Sequence, residues 1–311
     1  MQGGRVCAIV PTYNRKDLLT NCLKAMLSGT VVPETIIVVD NASTDGTKEH
    51  IESLFAKEIE QGQIVYIPLK ENMGGGGGYN IGLRKGMEMD VDFFWLMDDD
   101  ADPDENALLE LLKRADYRTC LASVATDRDK QKLSLGLGFR SNNKFEFFQL
   151  LSEVPPDRHT MKPTFVPFIG LLVPKHVVSV VGFPRADYFA IGDDIEYFYR
   201  IQERGYKVIY IRESIVFHPV PQKAKVNFLW RKNIVVIIDS PEWKHYYGLR
   251  NHVYLFSRSK KWMDMIRSII YAFLVWKARG AKLNTLHFYV KGLWHGIIGK
   301  LGRNDAIMPK N

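Results

Sequence analysis

Phe93-Phe94-Trp95-Leu96-Met97-Asp98-Asp99-Asp100-Ala101 is the stretch on which the reading of the fold turns. An apolar, aromatic run of this kind predicts a strand buried on both faces, and its last residues carry three carboxylates to one edge of a sheet. Adjacent carboxylates repel unless a cation joins them. A divalent ion held by hard oxygens is one solution, and such an ion would in turn hold a phosphate. A solvated acidic turn leading to a helix at Pro103-Asp104 is the other.

Outward from that block, the first half of the chain alternates strand and helix patterns. Apolar runs at 6–10, 35–39 and 64–67 predict strands like the one at 93–97, and helical patterns cover 16–27, 47–59 and 79–89. The alternation predicts an α/β fold with a mostly parallel sheet and flanking helices. Ligands of such sheets bind beyond the carboxyl ends of the strands. Each strand here ends in a polar cluster: Thr12 to Arg15, Asp40 to Ser43, Asn72 with its glycines, and Asp98 to Asp100. The stretch 127–165, with Gly136, Gly138, Pro155 and Pro156 among aromatics, predicts hairpins and a loop over the site. A strand at 170–173, a helix at 194–204 and a strand at 207–211 follow.

Composition limits the possibilities. At 311 residues and 46% hydrophobic, the chain can bury a large core. Cys7, Cys22 and Cys120 are odd in number and widely spaced, which predicts core thiols in a reducing compartment rather than disulfides or a metal knuckle. The N-terminus has no signal-peptide pattern, and the apolar run 269–276 is too short to span a bilayer. The charge is uneven. Residues 258–303 hold ten Lys or Arg and one acid, leaving +9 there, so that the first 257 residues carry −2 of the chain's +7. The expected division is therefore a catalytic domain over 1–257 and a basic amphipathic helical tail over 258–311.

Four further motifs carry chemistry. Asp40, with Asn41-Ala42-Ser43-Thr44-Asp45-Gly46, can accept a hydrogen bond from a nucleobase or ribose, or can simply turn the chain into a helix. The run Gly74–Gly78 lets backbone approach an anion at a helix N-terminus, or is a flexible loop. In Gly192-Asp193-Asp194-Ile195-Glu196, an acid opening a helix is expected to stay ionised and to serve as a general base, or to be only a cap. His218, in Val216-Phe217-His218-Pro219, is a structural histidine or a nitrogen ligand completing a carboxylate shell.

Taken in order, Val10-Pro11-Thr12-Tyr13-Asn14-Arg15, Val39-Asp40 through Gly46, the glycine run, the triple aspartate and Asp193-Asp194-Ile195-Glu196 resemble the inverting family 2 glycosyltransferases of GT-A (Rossmann-like) fold, over about residues 5–255. Within that family the chain is most similar to bacterial galactofuranosyltransferases. Asn72-Met73-Gly74 through Tyr79 resembles their glycine loop, Trp95 through Ala101 resembles their aspartate motif, and His218 follows Asp194 by 24 positions. Tyr246-Tyr247-Gly248-Leu249-Arg250-Asn251 is shared with rhamnosyltransferases. Polymerising galactofuranosyltransferases carry a large N-terminal β domain, which this chain, opening almost directly at its first strand, is not expected to share.

The resemblance implies the following roles. Pro11, Thr12, Arg15, Asp40, Asn72, Gly75, Gly76, Asp98 and Asp99 would face the nucleotide-sugar donor. Asp98, Asp100 and His218 would hold Mn²⁺ or Mg²⁺, Asp194 would be the base, and Asp193, Glu196 and Arg250 would meet the acceptor. The donor would be UDP-galactofuranose and the acceptor a glycan, lipid-linked in the fullest form of the expectation. A rhamnosyl- or hexosyltransferase using dTDP-rhamnose or another UDP-sugar is the alternative within the family. A nucleotidyltransferase is the alternative from another class, but it needs a basic residue beside its glycine loop, where only Lys70 stands close and Arg84 and Lys85 lie deeper in the helix. A non-catalytic membrane scaffold is a third. The basic tail with Trp262, Trp276 and Trp294 suits an anionic membrane surface, which implies a cytoplasmic protein on the inner face of the cell membrane. Packing on the catalytic domain or homo-oligomer formation is its alternative. No nucleic-acid-binding module is present.

Overall fold

The structure, a computed structural model, describes residues 4–141, 144–228 and 231–308. The strands are β1 (Val6–Thr12), β2 (Thr35–Asp40), β3 (Ile64–Pro68), β4 (Phe93–Leu96), β5 (Asp102–Pro103), β6 (Thr119–Thr126), β7 (Lys132–Ser141), β8 (Lys144–Leu150), β9 (Thr160–Met161), β10 (Leu171–Pro174), β11 (Lys207–Phe217), β12 (Lys223–Phe228) and β13 (Arg231–Ile237). The helices are α1 (Lys16–Leu27), α2 (Thr47–Leu54), α3 (Ala56–Glu60), α4 (Gly74–Met87), α5 (Ala107–Leu112), α6 (Lys175–Val181), α7 (Asp193–Glu203), α8 (Glu242–Arg258), α9 (Trp262–Ala278) and α10 (Leu286–Ile298).

The main sheet runs β3-β2-β1-β4-β10-β6-β11-β5. Its first four strands are parallel, as the alternation predicts, and β6 and β11 are parallel to each other. Between these groups β10 runs antiparallel to both β4 and β6. The period-2 geometry of a strand sends neighbouring side chains to opposite faces. In β1, Cys7 and Ile9 join the layer covered by α4, α6 and α7, while Val6, Ala8 and Val10 join the layer covered by α1, α2 and α5. Both faces are dry, which is why these strands read as continuous apolar runs.

Three boundaries differ from the sequence expectation. The helix expected over 47–59 breaks at Phe55, giving α2 and α3. The glycine run is not a loop before a helix at Tyr79, because α4 already begins at Gly74. The strand expected over 207–211 continues to Phe217 after an irregularity between Ile211 and Ile215. The β7–β8 hairpin forms in the region where hairpins were expected.

The segment after residue 258 is packed, not free. Helix α10 lies along α8 at close range, because Gly292 and Gly296 present no side chain to the carbonyls of Tyr246 and Arg250. Helix α9 packs against the β12–β13 hairpin through Leu274 and Val275. No described helix is long and apolar enough to cross a membrane.

Candidate active site

The polar strand ends converge as the parallel sheet requires. Thr12 and Asp40 are register partners at the ends of β1 and β2, and Asp98 follows β4 beside them. Thr12 and Asp98 floor a cleft of about 1180 Å³, walled on its far side by α8 to α10. Single-ligand pockets are usually about 300–1,000 Å³, so this cleft has room for two reactants.

Asp98, Asp100 and His218 come together although 118 positions separate Asp100 from His218 in the sequence. The antiparallel pairing of Phe217 with Asp102 folds the end of β11 back onto the aspartate run. One ligand atom from each of the three lies within 4.8 Å of the others. The Nε2 of His218 is 3.4 Å from Asp100. Its Nδ1 is 2.9 Å from the carbonyl of Pro219 and 2.8 Å from Ser134 Oγ, which itself donates to Pro219. A carbonyl can only accept, so Nδ1 carries the hydrogen and Nε2 faces the acids. This is the orientation a metal-binding histidine needs.

The charges are arranged unevenly. Arg15 reaches Asp99 at 2.9 Å and Asp100 at 3.0 Å, and Thr12 donates to Asp99 at 2.7 Å. Burial raises the Asp100 carboxyl, but His218 and Arg15 outweigh it and hold the group down at about 2. Among the described residues the Asp98 carboxylate has one hydrogen-bond partner, the hydroxyl of Tyr79 at 2.7 Å. Burial, then repulsion from Asp100, pushes Asp98 up to about 7. For His218, burial works against protonation but Asp100 and Asp98 prevail and raise it. Asp98 is thus a buried acid with no hydrogen-bonded cation among the described residues, in a set of two carboxylates and one imidazole. That donor set fits Mn²⁺ or Mg²⁺.

A second acid pair enters the cleft from the loop 188–192. Phe189, Ile191 and Gly192 all have positive φ, at 62°, 58° and 94°. Such backbone costs roughly 1–3 kcal/mol at each non-glycine position and persists only when its surroundings fix it. Here the fixing comes from α8. Asn251 Nδ2 reaches the carbonyls of Tyr188, Ala190 and Ile191 at 3.0, 3.0 and 2.7 Å. Arg250 donates to Tyr188 and Gly302 at 2.9 and 2.6 Å and to Asn251 at 2.8 Å. The loop so held delivers Asp193 and Asp194 at the start of α7, where Asp194 accepts a hydrogen bond from the Ile195 amide at 2.8 Å.

The helix N-terminus does not by itself hold Asp194 in the ionised form, as the sequence expectation had it. Burial, with repulsion from Asp193 and a smaller contribution from Asp98, pushes its pKa well above the usual carboxylate range, and burial lifts Asp193 to about 6. One amide and a helix end do not offset desolvation plus like charges.

The glycine run makes close contacts that a side chain would block. Gly74 has φ 74°, and a Cβ there would stand 1.9 Å from the Phe189 carbonyl oxygen; a Cβ on Gly78 would meet Pro11 at 2.6 Å. The run therefore seats α4 against β1 and against the loop carrying the acids. Asn72 lines the cleft and accepts a hydrogen bond from the amide of Gly74, the first residue of α4, at 2.8 Å.

Pro11, Thr12, Arg15, Asn72, Gly75, Asp98, Asp99, Asp100, His218, Asp193 and Asp194 all line the cleft. Four expected residues do not. Asp40 is buried, with its oxygens occupied by the Tyr66 hydroxyl at 2.5 Å and the Ser43 amide at 2.9 Å. Gly76 lies against the Arg185 carbonyl and Asp193. Glu196 turns away to pair with Arg200 at 2.8 Å, and Arg250 is wholly buried in the network just described. Conversely, Tyr79, Lys244, Trp243 and His252 line the cleft, and Ser134 orients His218, without having been singled out. Tyr79 is visible in sequence only as the aromatic closing the glycine run. The other four carry no local signal.

A parallel sheet ending in a metal-competent triad, with a second acid pair across one cleft, defines a GT-A glycosyltransferase. The profile of glycosyl transferase family 2 matches residues 7–166, and the chain belongs to that family. It is 27% identical over 261 residues to galactofuranosyltransferase GlfT1 of Mycolicibacterium smegmatis, covering 81% of this chain and 83% of that one. It is 25% identical over 218 residues to the O-antigen chain rhamnosyltransferase RfbN of Salmonella typhimurium, covering 69% and 66%. Among solved structures, mannosyltransferase PcManGT of Pyrobaculum calidifontis, in complex with GDP-Man and Mn²⁺, superposes with a TM-score of 0.59 at 15% identity, over 96% of this chain and 88% of that one.

Proposed function

We propose that this enzyme moves galactofuranose from UDP-galactofuranose to a hydroxyl of a glycan acceptor, with inversion, in cell-surface polysaccharide synthesis. The observation that carries the reading is the single cleft shared by the Asp98–Asp100–His218 triad and Asp194. The triad would hold Mn²⁺ or Mg²⁺, which supplies charge neutralisation at the diphosphate. Asp194 takes the proton of the acceptor hydroxyl as its oxygen bonds to the anomeric carbon. The bond from that carbon to the diphosphate oxygen breaks, and UDP leaves with the electron pair. Attack from the face opposite UDP inverts the centre without a covalent intermediate. The raised pKa of Asp194 suits a base that must hold the proton it takes.

The donor assignment rests on the glycine loop, the aspartate motif and the likeness to GlfT1. The likeness to RfbN supports dTDP-rhamnose as the second reading. Side-by-side assays should show faster UDP release from UDP-galactofuranose than from UDP-galactopyranose, and faster turnover than with dTDP-rhamnose. A clear preference for dTDP-rhamnose refutes the donor assignment.

The acceptor is proposed to be lipid-linked, and the enzyme to work on the inner face of the cell membrane. Helices α9 and α10 support this. Trp262, Ile266 and Phe273 on α9 and Val290, Trp294 and Ile297 on α10 are each 43–58% exposed. They lie within the segment of charge +9. An exposed apolar face bordered by lysine and arginine matches an anionic bilayer. Because α10 is packed on α8, the test uses point changes. Trp262→Glu with Trp294→Glu should reduce co-sedimentation with anionic liposomes at least about tenfold, and added salt should release the unaltered protein. If the unaltered protein ignores such liposomes at low salt and sediments as a dimer, the face is an oligomer interface instead.

A further inference from the structure

We propose that Lys244 binds the diphosphate of the donor and stabilises it as it leaves; the proposal rests on the transferase reading above. Lys244 stands in the first turn of α8 and lines the cleft opposite the strand ends. Its ammonium lies 5.7 Å from the centre of the Trp243 ring. Among the described residues it has no hydrogen-bond or ion-pair partner.

The other long cations of the cleft are already engaged. Arg15 is held by Asp99 and Asp100, and Arg303 by Asp305 at 2.6 Å and the Asn72 carbonyl at 3.3 Å. Lys244 is therefore the free cation of the cleft among the described residues. It senses the same groups the donor would meet. Burial, then the nearby Arg15, lower its pKa from the ordinary lysine value, and Asp100, Asp98 and Asp99 only partly offset them.

Charge balance shows why the site needs it. Three carboxylates are offset by Arg15 and one divalent ion, so the floor of the cleft presents no net positive charge to a diphosphate. The leaving group gains further negative charge as the glycosidic bond breaks, and a lysine on the opposite wall meets that charge.

The wall is rigid enough to position the lysine. Arg279 ties the start of α8 by donating to Glu242 at 2.8 Å, to the Ser240 carbonyl at 2.8 Å and to the Ile238 carbonyl. The Arg250–Asn251 network holds its middle. The lysine is half-buried, so its stem has packed surroundings while its head reaches the cleft.

The test is calorimetric binding of UDP, dTDP and uridine to the full chain with Mn²⁺. Lys244→Met and Lys244→Gln should each weaken nucleoside diphosphate binding about tenfold, the scale of one charge-assisted hydrogen bond. Uridine affinity should not change, and Lys244→Arg should restore binding to within about threefold. A structural role would lower uridine and diphosphate affinity together. Either that result or unchanged diphosphate affinity in both variants overturns the proposal. Unaltered protein that binds neither UDP nor dTDP overturns the transferase reading itself, which is a separate failure.

Discussion

Asp194→Asn is expected to slow sugar transfer at least about 100-fold while leaving UDP affinity within about twofold. The substitution keeps the shape and the hydrogen bond from Ile195 but cannot accept a proton, and loss of a general base typically costs about 10²–10⁴-fold. The same change should raise the melting temperature of the metal-free protein at pH 8. The sign follows from linkage. The folded pKa of Asp194 is raised above its unfolded value of 3.8 by burial and by Asp193. Its neutral form is favoured by the fold, so that contribution is fully present below pH 3.8 and is lost as pH rises through the folded value. Asn is neutral throughout. The stability gap between the variant and the original should therefore vanish toward pH 4 and widen to pH 8. Near-normal turnover would place the base elsewhere. A melting temperature lowered equally at all pH values would mean that Asp194 serves the fold rather than the reaction.

His218→Ala and Asp100→Ala are expected to abolish most metal-dependent nucleotide binding, each weakening Mn²⁺-supported UDP affinity by well over tenfold. The two residues approach to 3.4 Å and form the triad with Asp98. Ser134→Ala removes one of the two partners of Nδ1, leaving the Pro219 carbonyl, and should have a smaller effect, on the order of tenfold, as outer partners of metal ligands do. Calorimetry with and without chelator reads all three variants. Equal UDP affinity in the presence and absence of Mn²⁺ in the unaltered enzyme would remove the metal from the account.

How much of this was legible in the sequence follows the distance over which each feature is built. The strands from β1 to β4 are local apolar runs, and parallel pairing then puts their polar ends side by side. Asp98, Asp99 and Asp100 are neighbours in the chain, so one short block displayed most of the triad. His218 could be placed only through the resemblance, because its approach to Asp100 depends on the β5–β11 pairing. Features decided by packing were misread or missed. Gly74 and Gly78 look like a flexible loop until Phe189 and Pro11 are seen against them. Arg250 looks like a residue available to a substrate, but the strained loop before Asp193 needs its donors. Burial, which sequence does not display, works against the ionised form of Asp194 that a helix N-terminus was expected to hold. Lys244 carries no motif; it matters because of what the cleft places opposite it.

The central claim is that a metal-bearing triad and Asp194 act together in a single displacement at a sugar's anomeric carbon. The most direct measurement is the identity of the phosphate product when the enzyme is incubated with UDP-galactofuranose, with and without Mn²⁺. Release of UDP is expected, by transfer or slow hydrolysis, and it should stop when the metal is chelated and in Asp194→Asn. Release of pyrophosphate from a nucleoside triphosphate, with no UDP formed from any UDP-sugar, would contradict it and identify a nucleotidyltransferase.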